Sequence, residues 1–283
     1  MSLRTRATVV ALLAAVATPA GTAAASPTPA RPATSASVAV LPVTISTVSV
    51  RVGDRSFNAR LAQPTGSAPG AYPVIAFGHG FLQGAGRYDS TVRALAARGY
   101  VVVAPDSETG FFPKHGRFAD DLWGAVTWAR STQPNASPTL DAVSGHSMGG
   151  GAALLAADRH PELETVATLA AAETNPSATT ASAGITAPAL FVVGSVDGVV
   201  APSTTRRMYD AKPAPARWAS ITGGYHCGFA DSTSYFGLGC DSGTISRATQ
   251  LSVSQNLLGG WFDQQLKGAP AAPVPSGVVT EQK

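Results

Sequence analysis

The chain has 283 residues, 45% of them hydrophobic and only 13% charged, a size at which one domain buries about 75% of the surface its unfolded chain exposes. Its formal charge of +3 has no Lys/Arg cluster or basic helix behind it, which excludes the electrostatic footprint of a nucleic-acid partner. Beyond the first residues no stretch is apolar and long enough for a membrane span, so stable membrane insertion is not expected.

The N-terminus reads as an export signal. Arg4 and Arg6 give a basic start, Ala7 to Ala17 an apolar stretch, and Ala23-Ala24-Ala25 a small-residue cleavage site before Ser26. An apolar core of about 11 residues is too short to cross a hydrocarbon layer ~30 Å thick, which favours secretion over a membrane anchor. Cleavage after residue 25 would remove both arginines and leave a charge of +1. Residues 26–37, rich in Pro, Ala, Ser and Thr, predict a disordered leader. The folded domain is predicted over 38–267, and residues 268–283, with Pro270, Pro273 and Pro275, as a surface-hugging or frayed tail.

Within the domain, Val43 to Val52 and Phe57 to Leu61 flank the turn Gly53-Asp54, and the alternation of Val48, Val50 and Val52 predicts an antiparallel hairpin at a sheet edge. From Pro73 onward, short β-branched runs alternate with Ala-rich helical runs, the pattern of stacked βαβ units. Strands are predicted at Val74 to Phe77, Tyr100 to Ala104, Leu140 to Ser144, Thr165 to Ala170, Ala189 to Val193 and Arg217 to Ile221. Helices are predicted at Tyr88 to Ala97, Arg117 to Ser131, Gly149 to Arg159, Ser203 to Ala211 and Ser246 to Leu266. The fold class is therefore α/β, with a mainly parallel twisted sheet of about eight strands and helices on both faces.

Gly145-His146-Ser147-Met148-Gly149 lies where a predicted strand turns into a helix, the setting a nucleophile elbow requires. A serine hydroxyl needs a base within hydrogen-bond reach, and the base needs a group that fixes its tautomer. Of five histidines, His226 follows the last predicted strand in the glycine-rich run Gly223-Gly224-Tyr225-His226. His146 adjoins the serine but should point away from it, His160 ends a helix, and His115 is placed in a loop. The acid should follow a strand between serine and histidine, and Asp197 in Val193-Gly194-Ser195-Val196-Asp197 does so. Two preorganised N–H donors for an oxyanion are expected from the backbone of Met148, at a helix start, and of Phe81, after the strand Val74 to Phe77.

Two cysteines, Cys227 and Cys240, remain in the mature chain, and an even number in an exported protein favours a bridge over two free thiols. No cofactor is expected, nor a metal site, since no His/Cys/Asp cluster outside these residues has ligand spacing.

The runs Gly145 to Gly151, Gly78-His79-Gly80-Phe81, Gly99 to Asp106 and Val193 to Asp197 resemble the α/β-hydrolase superfamily, in particular bacterial cutinase-like (PETase-type) polyester hydrolases and chlorophyllases. The resemblance implies the α/β-hydrolase fold and carboxylic ester hydrolysis in a shallow cleft, with Ser147, Asp197 and His226 as triad and Phe81 also packing on the acyl part of the substrate. It implies a small-molecule or polymeric ester as the partner, with a monomer as the expected state. The chain departs from the polyester enzymes after the strand Thr165 to Ala170, where Ala171-Ala172-Glu173-Thr174-Asn175 stands in place of a tryptophan and puts an acid near the expected cleft. Two alternatives stay open: a polymer-active polyester hydrolase and a non-catalytic binding protein on the same scaffold.

Overall fold

The computed structural model describes residues 40–66, 69–232 and 240–283. The expected export signal over 1–25 and leader over 26–37 lie outside the described residues.

The elements run in the order β1 (Val43–Val52), β2 (Arg55–Pro64), β3 (Tyr72–Gly78), α1 (Asp89–Ala97), β4 (Val101–Pro105), α2 (His115–Thr132), β5 (Ala136–His146), α3 (Met148–Arg159), β6 (Thr165–Leu169), α4 (Ala178–Gly184), β7 (Ala189–Gly194), α5 (Pro202–Ala211), β8 (Ala216–Ile221), α6 (Arg247–Lys267) and β9 (Val278–Gln282). They build one nine-stranded sheet in the order β1-β2-β4-β3-β5-β6-β7-β8-β9. Every pair from β4 to β8 is parallel, while β1, β2 and β9 join antiparallel at the margins.

The parallel strands β3, β4 and β7 read as nearly continuous apolar runs because both faces are covered. Val74 and Ala76, Val101 and Val103, and Phe191 and Val193 face a layer that contains α2, α3, α4 and α5. Their neighbours Ile75 and Phe77, Val102 and Ala104, and Leu190 and Val192 face α1 and α6. Small side chains let the helices come close: α3 buries ten consecutive residues from Met148 to Ala157, three of them glycine and four alanine.

The sheet has nine strands rather than about eight, and the extra one comes from the segment expected to be a tail. After Gly277, at φ 76°, Val278–Gln282 pairs with β8 from Ile221↔Val278 to Arg217↔Gln282. Lys283 and Ala216 then exchange backbone hydrogen bonds of 2.9 and 3.0 Å. The proline-bearing stretch before it therefore joins α6 to a paired strand. Two smaller corrections follow: His115 opens α2 instead of sitting in a loop, and α4 stands where no helix is expected.

Asp141, buried in the middle of β5, gives a pH-dependent stability. Burial raises its carboxyl to about 6 and outweighs the Arg130 guanidinium 2.9 Å away, with Glu164 adding to the rise. A carboxyl whose pKa is raised by folding contributes stability that is complete below its unfolded value, near 4, and is lost as pH rises through the folded value. Asp141→Asn should therefore match the parent at pH 4 and exceed it above pH 7 by about 1–3 kcal/mol, a rise of several degrees in Tm. Thermal unfolding from pH 4 to 8 checks this; a gain that is the same at both ends would assign the effect to packing.

Candidate active site

Ser147 links the end of β5 to the start of α3 at φ 56°, ψ −120°. A residue with a Cβ pays roughly 1–3 kcal/mol for such backbone geometry and keeps it only where its surroundings impose it. Here the Ser147 N–H donates to Leu169 O at 2.9 Å, and its carbonyl accepts from Gly151 N at 3.1 Å and Ala172 N at 2.9 Å. The turn is thus tied both to its own helix and to the loop after β6. Gly149 lets it sit against the end of β3: a Cβ there would lie 2.3 Å from the Gly78 carbonyl carbon, a backbone collision that no side-chain movement relieves.

That contact brings the loop after β3 beside the serine turn. Phe81 lies in this loop and is 38% exposed, whereas Met148, the first residue of α3, is buried. The first N–H groups of a helix have no acceptor within it, so the Met148 N–H is of the kind an oxyanion can use. His79 fastens the loop, with Nδ1 2.8 Å from Gly80 O and Nε2 2.8 Å from Ser107 O. Burial lowers its pKa, and the two carbonyl contacts oppose that shift.

Asp197 and His226 meet beyond the ends of β7 and β8. The Asp197 Oδ1 accepts from the N–H groups of Val199 at 2.9 Å and Val200 at 2.7 Å, leaving Oδ2 for His226 Nδ1 at 2.8 Å. Both residues are nearly covered, at 6% and 5% exposure. Two glycines make the approach possible: a Cβ on Gly194 would stand 2.4 Å from the carbonyl carbon of Gly224. Val196 N then donates to Gly224 O at 3.0 Å, lashing the two loops together.

The pair lies against the serine turn. The His226 ring packs 4.4 Å, centroid to centroid, from the ring of His146, the residue before Ser147. His146 is fully buried; burial, and then the neighbouring His226, hold its pKa well below the usual histidine value. It is therefore a neutral packing partner, with Nδ1 2.8 Å from the hydroxyl of Tyr88. Tyr88 in turn donates to Gln83 Oε1 at 2.6 Å and accepts from Gly80 N at 3.1 Å, so one buried network joins the serine turn to the loop of Phe81. The remaining histidines are elsewhere: His115 accepts from Asn175 N, and His160 stacks on Trp123.

Cys227 and Cys240 form a disulfide, with Cα atoms 5.7 Å apart. Sequence reasoning missed three participants, Tyr88, Gln83 and Asp241. Asp241 accepts from the backbone N–H groups of Gly198, His226 and Cys227. Its only sequence signal is its place beside a bridged cysteine.

The acid expected near the cleft is otherwise engaged. The Glu173 carboxylate turns back onto the start of α4, accepting from Ala178 N at 2.7 Å and from the Thr179 hydroxyl. These hydrogen bonds overcome its partial burial and lower its pKa. The four tryptophans of the chain lie on α2 (Trp123, Trp128), β8 (Trp218) and α6 (Trp261), none of them on the loops that carry Phe81, Asp197 or His226. Among the described residues no group of three or more His, Cys, Asp or Glu is arranged to hold a metal ion, and no helix is long and apolar enough to cross a membrane.

Comparison with known proteins bears on the fold and the family. Residues 71–182 match the family described as "Serine aminopeptidase, S33", and residues 129–251 match the one described as "Alpha/beta hydrolase family". A stretch of 109 residues, 36% of this chain, is 32% identical to Chlorophyllase-1 of Arabidopsis thaliana. The match spans 33% of that protein, about a third of its length. The parallel sheet with its antiparallel margins, the strained serine between β5 and α3, and two overlapping family matches place the chain in the α/β-hydrolase superfamily.

Proposed function

We propose that the protein is a secreted serine hydrolase of carboxylic esters. The observation that carries this reading is the 2.8 Å bond between His226 Nδ1 and Asp197 Oδ2, held against the turn that strains Ser147. A carboxylate on Nδ1 keeps the proton there and leaves Nε2 as the base. Ser147 Oγ attacks the ester carbonyl carbon as His226 Nε2 takes its proton. The oxyanion accepts from the N–H groups of Phe81 and Met148, each such donor contributing about 3 kcal/mol. Collapse expels the alcohol, protonated by His226, and leaves an acyl group on Ser147. Water, deprotonated by the same imidazole, attacks the acyl carbon and releases the acid.

The partial likeness to Chlorophyllase-1 supports an ester as the substrate. Secretion is supported by the disulfide, a bond that persists in oxidising compartments, together with the basic and apolar N-terminal residues. Soluble esters are favoured over polyesters, because no tryptophan stands beside Phe81 to complete an aromatic clamp.

A fluorophosphonate probe tests the mechanism, since it reacts only with an activated serine. The expected result is a single adduct on the peptide containing Ser147, with loss of p-nitrophenyl acetate turnover in proportion to labelling. Turnover that survives complete labelling would reject the serine route, and an absence of both would favour a binding protein on this scaffold.

A further inference from the structure

Asp241 touches both loops that carry the His226–Asp197 pair. Its Oδ2 accepts from the His226 backbone N–H at 2.8 Å and from the Gly198 N–H at 2.9 Å, and its Oδ1 accepts from the Cys227 N–H at 3.0 Å. Gly198 directly follows Asp197, so a single oxygen spans from the backbone beside the acid to the backbone of the base. Bonds to an ionised acceptor are roughly twice as strong as neutral ones. The other ties between these loops, Val196 N to Gly224 O and Gly223 N to Ser195 Oγ, lie before Asp197 and His226 in the chain. Apart from the Asp197–His226 bond itself, Asp241 is the residue among those described that ties the backbone beside the acid to the backbone of the base.

The disulfide brings that carboxylate to its place. Cys240 immediately precedes Asp241 and is bonded to Cys227, which immediately follows His226. The bridge and the carboxylate therefore hold the same short stretch of backbone, one covalently and one through three N–H groups. None of Cys227, Cys240 and Asp241 belongs to the sheet or to its two apolar layers; the nearest layer residue in the chain is Phe229, two positions after Cys227.

We infer that Asp241, delivered by the Cys227–Cys240 bridge, is a positioning residue that sets the separation and orientation of His226 and Asp197 for turnover. The inference rests on the serine-hydrolase reading above. A clamp that acts only on stability would lower Tm and leave the rate per folded molecule unchanged. A positioning residue shows in kcat instead, because small displacements of reacting groups are costly to rate.

The test compares Asp241→Asn and Asp241→Ala in the mature chain, with the bridge verified by mass spectrometry and only folded protein counted. With p-nitrophenyl acetate, kcat should fall about 10- to 100-fold, with KM within roughly threefold of the parent. Asn, which keeps one acceptor and the shape, should lose less than Ala. The far-downfield proton resonance of the His226 Nδ1–H bond to Asp197, read in a Ser147→Ala background, should shift or broaden in both variants. Unchanged kcat and resonance, or loss of folding by both variants, would overturn the inference in favour of a purely structural clamp. A parent chain with no turnover and no labelling at Ser147 would instead reject the hydrolase reading, and the resonance would still report whether Asp241 holds the pair.

Discussion

Ser147→Ala is expected to lower kcat for p-nitrophenyl acetate by about 10⁴-fold or more, leaving the small residual rate that binding and the oxyanion donors supply. The fold should survive, because the bonds that hold this turn use the backbone of residue 147: its N–H to Leu169, its carbonyl from Gly151 and Ala172. Alanine bears the same Cβ at φ 56°, so the strain is carried over and not increased. The expected signature is an equal fall in kcat and kcat/KM, with Tm displaced by no more than a few degrees. Circular dichroism with steady-state kinetics reads both. A variant that keeps more than about one per cent of parent turnover would remove Ser147 from the nucleophile's place, since loss of an attacking oxygen cannot be made up by its neighbours.

Much of the fold was legible for one physical reason: a strand covered on both faces is a short run of apolar and β-branched residues, as in β3, β4, β6 and β7, whereas β8 was legible from its alternation of Trp218 and Ile221 with Arg217 and Ser220. The strand β5 extends further than its apolar stretch, because Ser137, Pro138 and Thr139 open it and Gly145 and His146 carry the pairing up to the serine. What stayed hidden depends on distant partners. The seven residues of α4 carry little apolar signal, and the helix is secured at its start by the Ser177 hydroxyl and the Glu173 carboxylate. The strand β9 follows a proline-rich stretch and exists through its pairing with β8. The three candidate residues Ser147, Asp197 and His226 could be singled out because each sits in a glycine-containing turn after a strand. Asp241 was not, since its partners are backbone N–H groups and every residue but proline has one.

Asp197→Asn should be nearly as damaging to turnover as removal of the serine, and for a reason that the hydrogen bonds make specific. Oδ1 of Asp197 accepts from two N–H groups, those of Val199 and Val200, and Oδ2 accepts from His226 Nδ1. An asparagine that keeps its oxygen on the two valines turns its NH₂ toward Nδ1. That nitrogen must then accept, the ring proton moves to Nε2, and the imidazole can no longer take a proton from Ser147. The opposite amide orientation restores the tautomer only by placing NH₂ against two N–H donors, in a pocket where unpaired buried polar groups cost about 1–3 kcal/mol each. The first orientation is favoured, and kcat should fall by about 10⁴-fold with little change in KM or Tm. Fluorophosphonate labelling of Ser147 should slow in parallel, because it depends on the same proton transfer. A kcat within tenfold of the parent would instead mean that Asp197 does not fix the tautomer. No other carboxylate among the described residues is positioned to replace it: Asp241 reaches His226 through its backbone N–H and makes no hydrogen bond to the ring.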